Sequence, residues 1–442
     1  MWILWLLTTV SALSLDVDSK DSICEATTHI INGMMDYYEG TRYGGTVGMF
    51  QTPYYWWQAG EAFGGMIENW FMCDNNTYEE IIYDALLHQT GDNFNYIPAN
   101  QSTTEGNDDQ GFWGFAAMGA AERNFTDPPE DYPSWVALTQ AVYNTMWARW
   151  DNATCSGGLR WQIFTWNSGY DYKNTISNGC LLHIAARLAR FTQNETYGET
   201  AEQVWQWLDD VGFINDQGGT YLIYDGANIV SGECTDITTI EWTYNYGVLM
   251  AGCAYMYDFT HDEVWLTRTT TLLSSISIFL NDNVIYEQQC QAAMNCNNDQ
   301  RSFKSIFSRC LGYTAKLVPS LTDQIMTILT ASAEGAAKSC SGGTDGVTCG
   351  LNWNIGAYDN MYGLGEQMSA LEVITQLLVL DSPAPYSQNE SSSKSDPEAG
   401  IGSSTRINMN DLDITGKDKA GAAILTVLVL GVFIGGLVWI VL

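Results

Sequence analysis

Six times along this chain a segment opens with polar or aromatic residues, passes a glycine, and then turns small and apolar. The copies are "YYWWQAGEAFGGMIENWF", "DDQGFWGFAAMGAAER", "ISNGCLLHIAARLARF", "WTYNYGVLMAGCAYMY", "FKSIFSRCLGYTAKLV" and "NMYGLGEQMSALEVITQLL". Their marker glycines are Gly60, Gly114, Gly179, Gly247, Gly312 and Gly363, spaced 54, 65, 68, 65 and 51 residues apart. A degenerate repeat of this kind means that copies of one supersecondary unit pack side by side. A second helical pattern precedes each copy, "TYEEIIYDALLHQT" and "TYGETAEQVWQWLDDV" among them, with apolar residues at i, i+3 and i+4 and polar ones between. Capping boxes are expected at Thr77 with Glu80, Thr196 with Glu199 and Thr260 with Glu263. Amphipathic helices suit an outer ring, and helices that are small and apolar all round suit a buried inner one. The predicted fold is all-α, an (α/α)6 barrel of six helical hairpins over residues 15–380.

The loops give this barrel a functional face. Those that follow inner helices are short, as at 73–76 and 192–195. Those that precede them are long: 91–107, 151–176, 212–241, 281–301 and 340–358. The long loops therefore gather where the inner helices begin. Asp108, Asp109, Trp56, Trp57, Trp113, Tyr244 and Asn178 are expected on that face.

The two ends of the chain point to export. "MWILWLLTTVSALS" reads as a signal peptide over 1–14, although it lacks a basic start. Residues 381–416 are polar and rich in serine, and are expected to form a flexible stalk. The last stretch, 417–442, is apolar up to Leu442 with no cation after it, which is the pattern of a GPI-attachment signal that is removed. Gly416 is the preferred attachment residue, with Asn410 as the alternative. A plain transmembrane tail is the competing reading. Six N-x-[ST] sites, at Asn75, Asn100, Asn124, Asn152, Asn194 and Asn389, fit a glycosylated exported protein. So do the 11 cysteines, an odd number that leaves at least one free thiol. Cys340 and Cys349 are expected to pair, and Cys253 to be a buried free thiol. The expected location is the outer face of the plasma membrane and the cell wall, held by the lipid anchor.

Charge narrows the partners. With 51 acids against 18 Lys and Arg the formal charge is -33, so nucleic acid is excluded for want of a basic footprint. The four histidines are scattered and no H-E-x-x-H, C-x-x-C, G-x-S-x-G or phosphate loop occurs. No metal or cofactor is called for. What remains is the pair Asp108–Asp109 at the start of an inner helix. Either acid could simply cap that helix. Two together, ringed by Trp and Tyr, suit glycoside cleavage, in which a retaining enzyme needs two carboxylates about 5–5.5 Å apart. Neighbouring Cα atoms lie about 3.8 Å apart, so their side chains reach that separation but hardly the wider inverting one. Repulsion from one ionised acid would keep the other protonated. Aromatic faces and amides, including Gln58 in "YYWWQAGE", suit a sugar.

The segments "YYWWQAGEAFGGMIENW", "GNDDQGFWGFAAMGAAE", "CSGGLRWQIFTWNSGYDYKNTISNGCLLHIAARLAR" and "EWTYNYGVLMAGCAYMY" resemble glycoside hydrolase family 76, in its fungal GPI-anchored branch, over about residues 20–380. The resemblance implies retaining attack on α-1,6-mannosidic bonds, with Asp108 as nucleophile and Asp109 as acid/base. It further implies transglycosylation: cutting the mannose core of a GPI-anchored glycoprotein and passing the protein to a cell-wall glucan acceptor. Trp56, Trp57 and Trp113 would be sugar platforms, and Asn174, Asn178 and Tyr244 hydroxyl ligands. Lys304 and Arg309 would meet an anionic group such as the anchor phosphate, or form salt bridges within an acidic domain. Plain hydrolysis of α-1,6-mannan, a mannan lectin and a structural wall protein are the alternatives.

Overall fold

The computed structural model describes residues 13–344 and 346–401, together with Gly421, Thr426, Val429 and Leu430. Twelve α-helices occur among the described residues: α1 (Lys20–Met35), α2 (Trp56–Cys73), α3 (Glu79–His88), α4 (Asn107–Glu122), α5 (Trp135–Ala148), α6 (Thr175–Thr192), α7 (Glu195–Asp210), α8 (Thr243–Thr260), α9 (Glu263–Ser275), α10 (Phe303–Leu317), α11 (Thr322–Ser339) and α12 (Leu364–Thr375). The even-numbered helices pack in cyclic order α2–α4–α6–α8–α10–α12, and α12 closes the ring on α2. The odd-numbered helices lie outside against their neighbours. The expected six hairpins are therefore present and form a closed (α/α)6 barrel.

Close packing of the inner ring explains the glycines. Gly60, Gly111, Gly179 and Gly247 are each the fifth residue of their helix. A Cβ on Gly111 would lie 2.6 Å from Cys180 Cβ, and one on Gly247 would lie 3.0 Å from the Phe307 backbone. In α4 it is thus Gly111, and not the expected Gly114, that holds the repeating position. Gly363 is the N-cap of α12 and lies outside the helix.

The outer helices are capped differently from expectation. Asn194 accepts the Thr196 N–H and caps α7, while Asp262 accepts the Val264 N–H and caps α9. Asn75 accepts from Thr77 and opens a 3-10 turn ahead of α3. Asn and Asp are better N-caps than Thr, their side-chain oxygens accepting the N2 or N3 amide.

All the short strands among the described residues fall in the long loops on the face where inner helices begin. These are β1 (Tyr172–Asn174), β2 (Ile214–Asp216), β3 (Tyr221–Ile223), β4 (Gly226–Val230), β5 (Glu233–Thr238), β6 (Leu280–Asn281) and β7 (Val284–Ile285). β1, β4 and β5 form an antiparallel sheet with Lys173 opposite Ala227. Disulfides Cys24–Cys73, Cys155–Cys234, Cys290–Cys296 and Cys340–Cys349 pin helices and loops. Cys180, Cys253 and Cys310 are free and buried.

The segment expected as a flexible stalk is docked over 383–401. The Tyr386 N–H donates to the Glu122 carbonyl and Ser391 Oγ to the Ala121 carbonyl, both at the end of α4. Gln388 does the same for Phe191 and Thr192 at the end of α6. Ser393 Oγ accepts the Val136 N–H in the first turn of α5. A serine-rich strap thus satisfies helix ends that would otherwise be left open. The residues expected to form the signal peptide, apart from Leu13 and Ser14, lie outside the described residues. So do the remainder of the stalk and the attachment residues Gly416 and Asn410.

Candidate active site

Asn107, Asp108 and Asp109 are the first three residues of α4. The preceding loop is stitched to the strand-like stretch 160–162: the Asn107 N–H donates to the Trp161 carbonyl at 2.8 Å, and Asn107 Nδ2 to the Arg160 carbonyl at 2.8 Å. The N-cap has to be glycine. A Cβ on Gly106 would lie 2.3 Å from Asp108 Oδ1 and 3.0 Å from the Trp161 carbonyl. The Gly106 N–H donates to Asp109 Oδ2 at 2.6 Å, which closes a capping turn and fixes the Asp109 rotamer.

The two carboxyls are half-buried side by side, and their surroundings differ. Burial pushes Asp108 up to about 7, against the pull of the Asp108 and Asp109 backbone N–H groups and the Trp161 indole. Asp108 Oδ1 has no hydrogen-bond partner. Burial, and then the charge of Asp108, push Asp109 well above the usual carboxylate range. Asp109 therefore holds its proton after Asp108 has lost its own. Behind Asp109 lies Glu105, 1% exposed, with neither oxygen hydrogen-bonded; burial and the Asp109 charge push it well above its ordinary value. Arg149 donates to Asn107 Oδ1 at 2.8 Å, and burial lowers it to about 10.

Other elements complete the cleft. Asp299, in the loop before α10, accepts from Trp57 Nε1 at 2.9 Å, and its charge acts on both Asp108 and Asp109. Tyr244, at the start of α8, stacks on Phe303 with ring centroids 3.8 Å apart, within electrostatic reach of Asp108 and Asp299. Trp161 and Trp166 stand exposed at 37% and 57%. A separate groove of 880 Å³, lined by Trp150, Trp207, Glu199 and Glu233 among others, includes none of these residues.

Of the expected sugar-binding residues, Trp57 and Tyr244 belong to this cleft, and the others have structural duties. Trp113 is wholly buried between Trp56 and Tyr96, with centroids 5.3 and 5.5 Å away, so it is core and not a platform. Trp56 is buried too and donates to Gln89. Gln58 accepts from the Tyr55 N–H and donates to Ser302, which ties α2 to α10. Asn174 is the N-cap of α6. Asn178 is fully buried and bonds both backbone groups of Leu159. Lys304 is fully buried, with Nζ 3.7 Å from the Trp353 ring centroid and hydrogen-bonded to the Leu351 carbonyl; burial lowers it to about 7. Arg309 pairs with Glu61 and Glu372 on the barrel axis, so the salt-bridge alternative holds for it, and neither cation is placed to take a phosphate. Sequence reasoning missed Glu105, Trp161 and Asp299. Glu105 stands at the head of "EGNDDQ", three residues before Asp108, where it could have been found as a third acid of the same motif. "NNDQRS" around Asp299 reads as an ordinary polar loop. Five of the six sequon asparagines are exposed and Asn75 is half-buried.

A closed helical barrel with two carboxyls of unequal proton affinity in an aromatic cleft is the frame of a glycoside hydrolase. The chain belongs to glycosyl hydrolase family 76, whose model matches residues 22–389. It is 59% identical to mannan endo-1,6-alpha-mannosidase DFG5 of Saccharomyces cerevisiae, over 97% of this chain and 94% of that one. The crystal structure of Dfg5 from Chaetomium thermophilum in complex with glucosamine superposes with a TM-score of 0.84 at 38% identity, covering 88% of this chain and 98% of that one. An α-1,6-mannanase from Salegentibacter sp. has the same fold, with a TM-score of 0.65 at 18% identity over 81% of this chain and 99% of that one. That protein is described as inactive when two consecutive aspartates are replaced by alanine, in complex with α-1,6-mannotetrose.

Proposed function

We propose that this glycoside hydrolase cleaves α-1,6-mannosidic bonds with retention, Asp108 being the nucleophile and Asp109 the acid/base. The observation that carries the reading is the unequal pair itself. Asp108 has an unbonded oxygen and several N–H groups that favour its ionised form, while burial and the Asp108 charge beside it favour the protonated form of Asp109. The names of the relatives supply the substrate class, and the inactivating double replacement in the Salegentibacter enzyme involves the same kind of consecutive pair.

In the first step Asp108 attacks the anomeric carbon as the bond to the leaving oxygen breaks, and the Asp109 proton passes to that oxygen. In the second, the ionised Asp109 takes a proton from an incoming hydroxyl. That oxygen then bonds to the anomeric carbon and releases Asp108. Water as the incoming group gives hydrolysis, and a sugar hydroxyl gives transfer. We further propose that the protein works at the outer face of the plasma membrane and cell wall, held by a lipid anchor. There it would move GPI-anchored glycoproteins from their GPI-core mannose onto wall glucan. The exported character of the sequence supports this: sequons, disulfides and the terminal apolar stretches.

The test uses the secreted protein ending at residue 401, an α-1,6-mannotetraose donor and an added glucan oligosaccharide, with products followed by mass spectrometry. A mannosylated glucan product that Asp108→Ala abolishes is expected. Mannose oligomers shortened by water alone would overturn the transfer reading, and binding without turnover would favour a lectin.

A further inference from the structure

Trp57 belongs to the first inner helix and Asp299 to the loop before the fifth, yet their side chains meet in the cleft. Trp57 Nε1 donates to Asp299 Oδ1 at 2.9 Å. The loop that carries Asp299 is held on every side. The Cys290–Cys296 disulfide closes its start. Asn297 and Gln300 bond each other's backbone N–H through their side chains, each at 2.9 Å. Gln58 Nε2 donates to the Asn298 carbonyl at 3.1 Å, Asn298 Nδ2 donates to the Pro53 carbonyl at 3.1 Å, and Arg301 donates to Asn298 Oδ1 at 2.7 Å.

The result is a fixed carboxylate with one oxygen clamped by an indole and the other uncommitted to any described side chain. It is partly exposed, and no cation is among the groups that act on it. A purely structural acid would be expected to have a cationic partner, because an unpaired half-buried carboxylate beside two others is costly. The cost makes sense if a ligand supplies the missing donors. Sugar hydroxyls do so, since each presents a proton that a carboxylate accepts strongly.

We propose that Asp299 is a substrate-binding carboxylate whose free oxygen accepts hydroxyl protons from the sugar ring held over Asp108. This assignment rests on the mannoside reading above. Trp57 acts through it as a positioning residue, setting the carboxylate rotamer and closing one wall of the subsite with Phe112, 4.8 Å away between ring centroids.

Asp299→Asn keeps an acceptor for Trp57 and removes the charge, so it separates binding from folding. Turnover of α-1,6-mannotetraose should fall ~10–100-fold in kcat/KM, the loss expected for one charge-assisted hydrogen bond. Donors each lacking one ring hydroxyl then locate the contact. One deoxy donor should be poor for the wild type by a similar factor and cost nothing further in Asp299→Asn. Losses that multiply for every deoxy donor, or a kcat/KM within about twofold of wild type, would overturn the assignment. Calorimetry of α-1,6-mannotriose binding to the inert Asp108→Asn protein isolates the two claims. No binding there would overturn the mannoside reading itself. Binding that a second replacement, Asp299→Asn, leaves unchanged would overturn only the role of Asp299.

Discussion

At the residue scale the proposed chemistry rests on two neighbouring carboxyls, both held above the usual carboxylate range. Their folded-state values are raised, so each binds its proton more tightly folded than unfolded, and each lowers stability as pH rises above the ordinary carboxylate range. Asp109→Asn should therefore raise stability at pH 7 by roughly 1 kcal/mol, about one degree in Tm for a domain of this size, while abolishing turnover. A differential scanning measurement showing a lower Tm would contradict the repulsion argument. The same values set the pH profile. kcat/KM should climb with pH as Asp108 ionises, with an acid limb no higher than about 7 because the cleft is open to water, and fall again when Asp109 loses its proton. The pair was legible in "GNDDQ" because two acids at a helix start are conspicuous. The lining of the cleft around it was legible only in part: Trp57 and Tyr244 were expected there, Trp161 and Asp299 were not. A Trp near the start of an inner helix faces either the cleft, as Trp57 does, or the neighbouring helix, as Trp56 and Trp113 do, and composition alone does not distinguish the two.

At the scale of elements, the inner ring works because glycines let helices approach. Sequence placed six such helices correctly but took Gly114 for the repeating position in α4. Gly111 and Gly114 both stand before an aromatic residue in "QGFWGF", which offers no contrast, and it is the fifth place in the helix, against Cys180, that distinguishes Gly111. This gives an internal control within one helix. Gly111→Ala would drive a methyl group to 2.6 Å from Cys180 Cβ, directly below the catalytic turn. Gly119→Ala has nothing nearer than the Arg187 guanidinium at 3.9 Å. The first should cost about 1–3 kcal/mol and impair activity through displacement of Asp108 and Asp109. The second should be neutral or stabilising by up to about 1 kcal/mol, as alanine is the better helix former. Urea melts of the two variants check this, and equal effects would contradict it.

At the scale of the whole molecule, the domain is longer than its repeats. The strap over 383–401 supplies hydrogen-bond partners to the ends of α4, α5 and α6. It was illegible in sequence for a physical reason: serine-rich polar chain looks the same whether water or helix termini satisfy it. A secreted chain ending at residue 380 should melt several degrees below one ending at 401, and hydrogen exchange should quicken at the last turns of α4 and α6. Equal melting would mean the strap is only draped over the surface.

Retaining attack by Asp108 on an α-1,6-mannosidic bond leaves a stereochemical signature. Proton NMR of the first sugar released from α-1,6-mannotetraose, recorded before mutarotation, tests it directly. The α-anomer is expected, formed through two displacements at one carbon, and none with Asp108→Ala. Initial release of the β-anomer would mean a single displacement by water, and the assignment of Asp108 as nucleophile would fall.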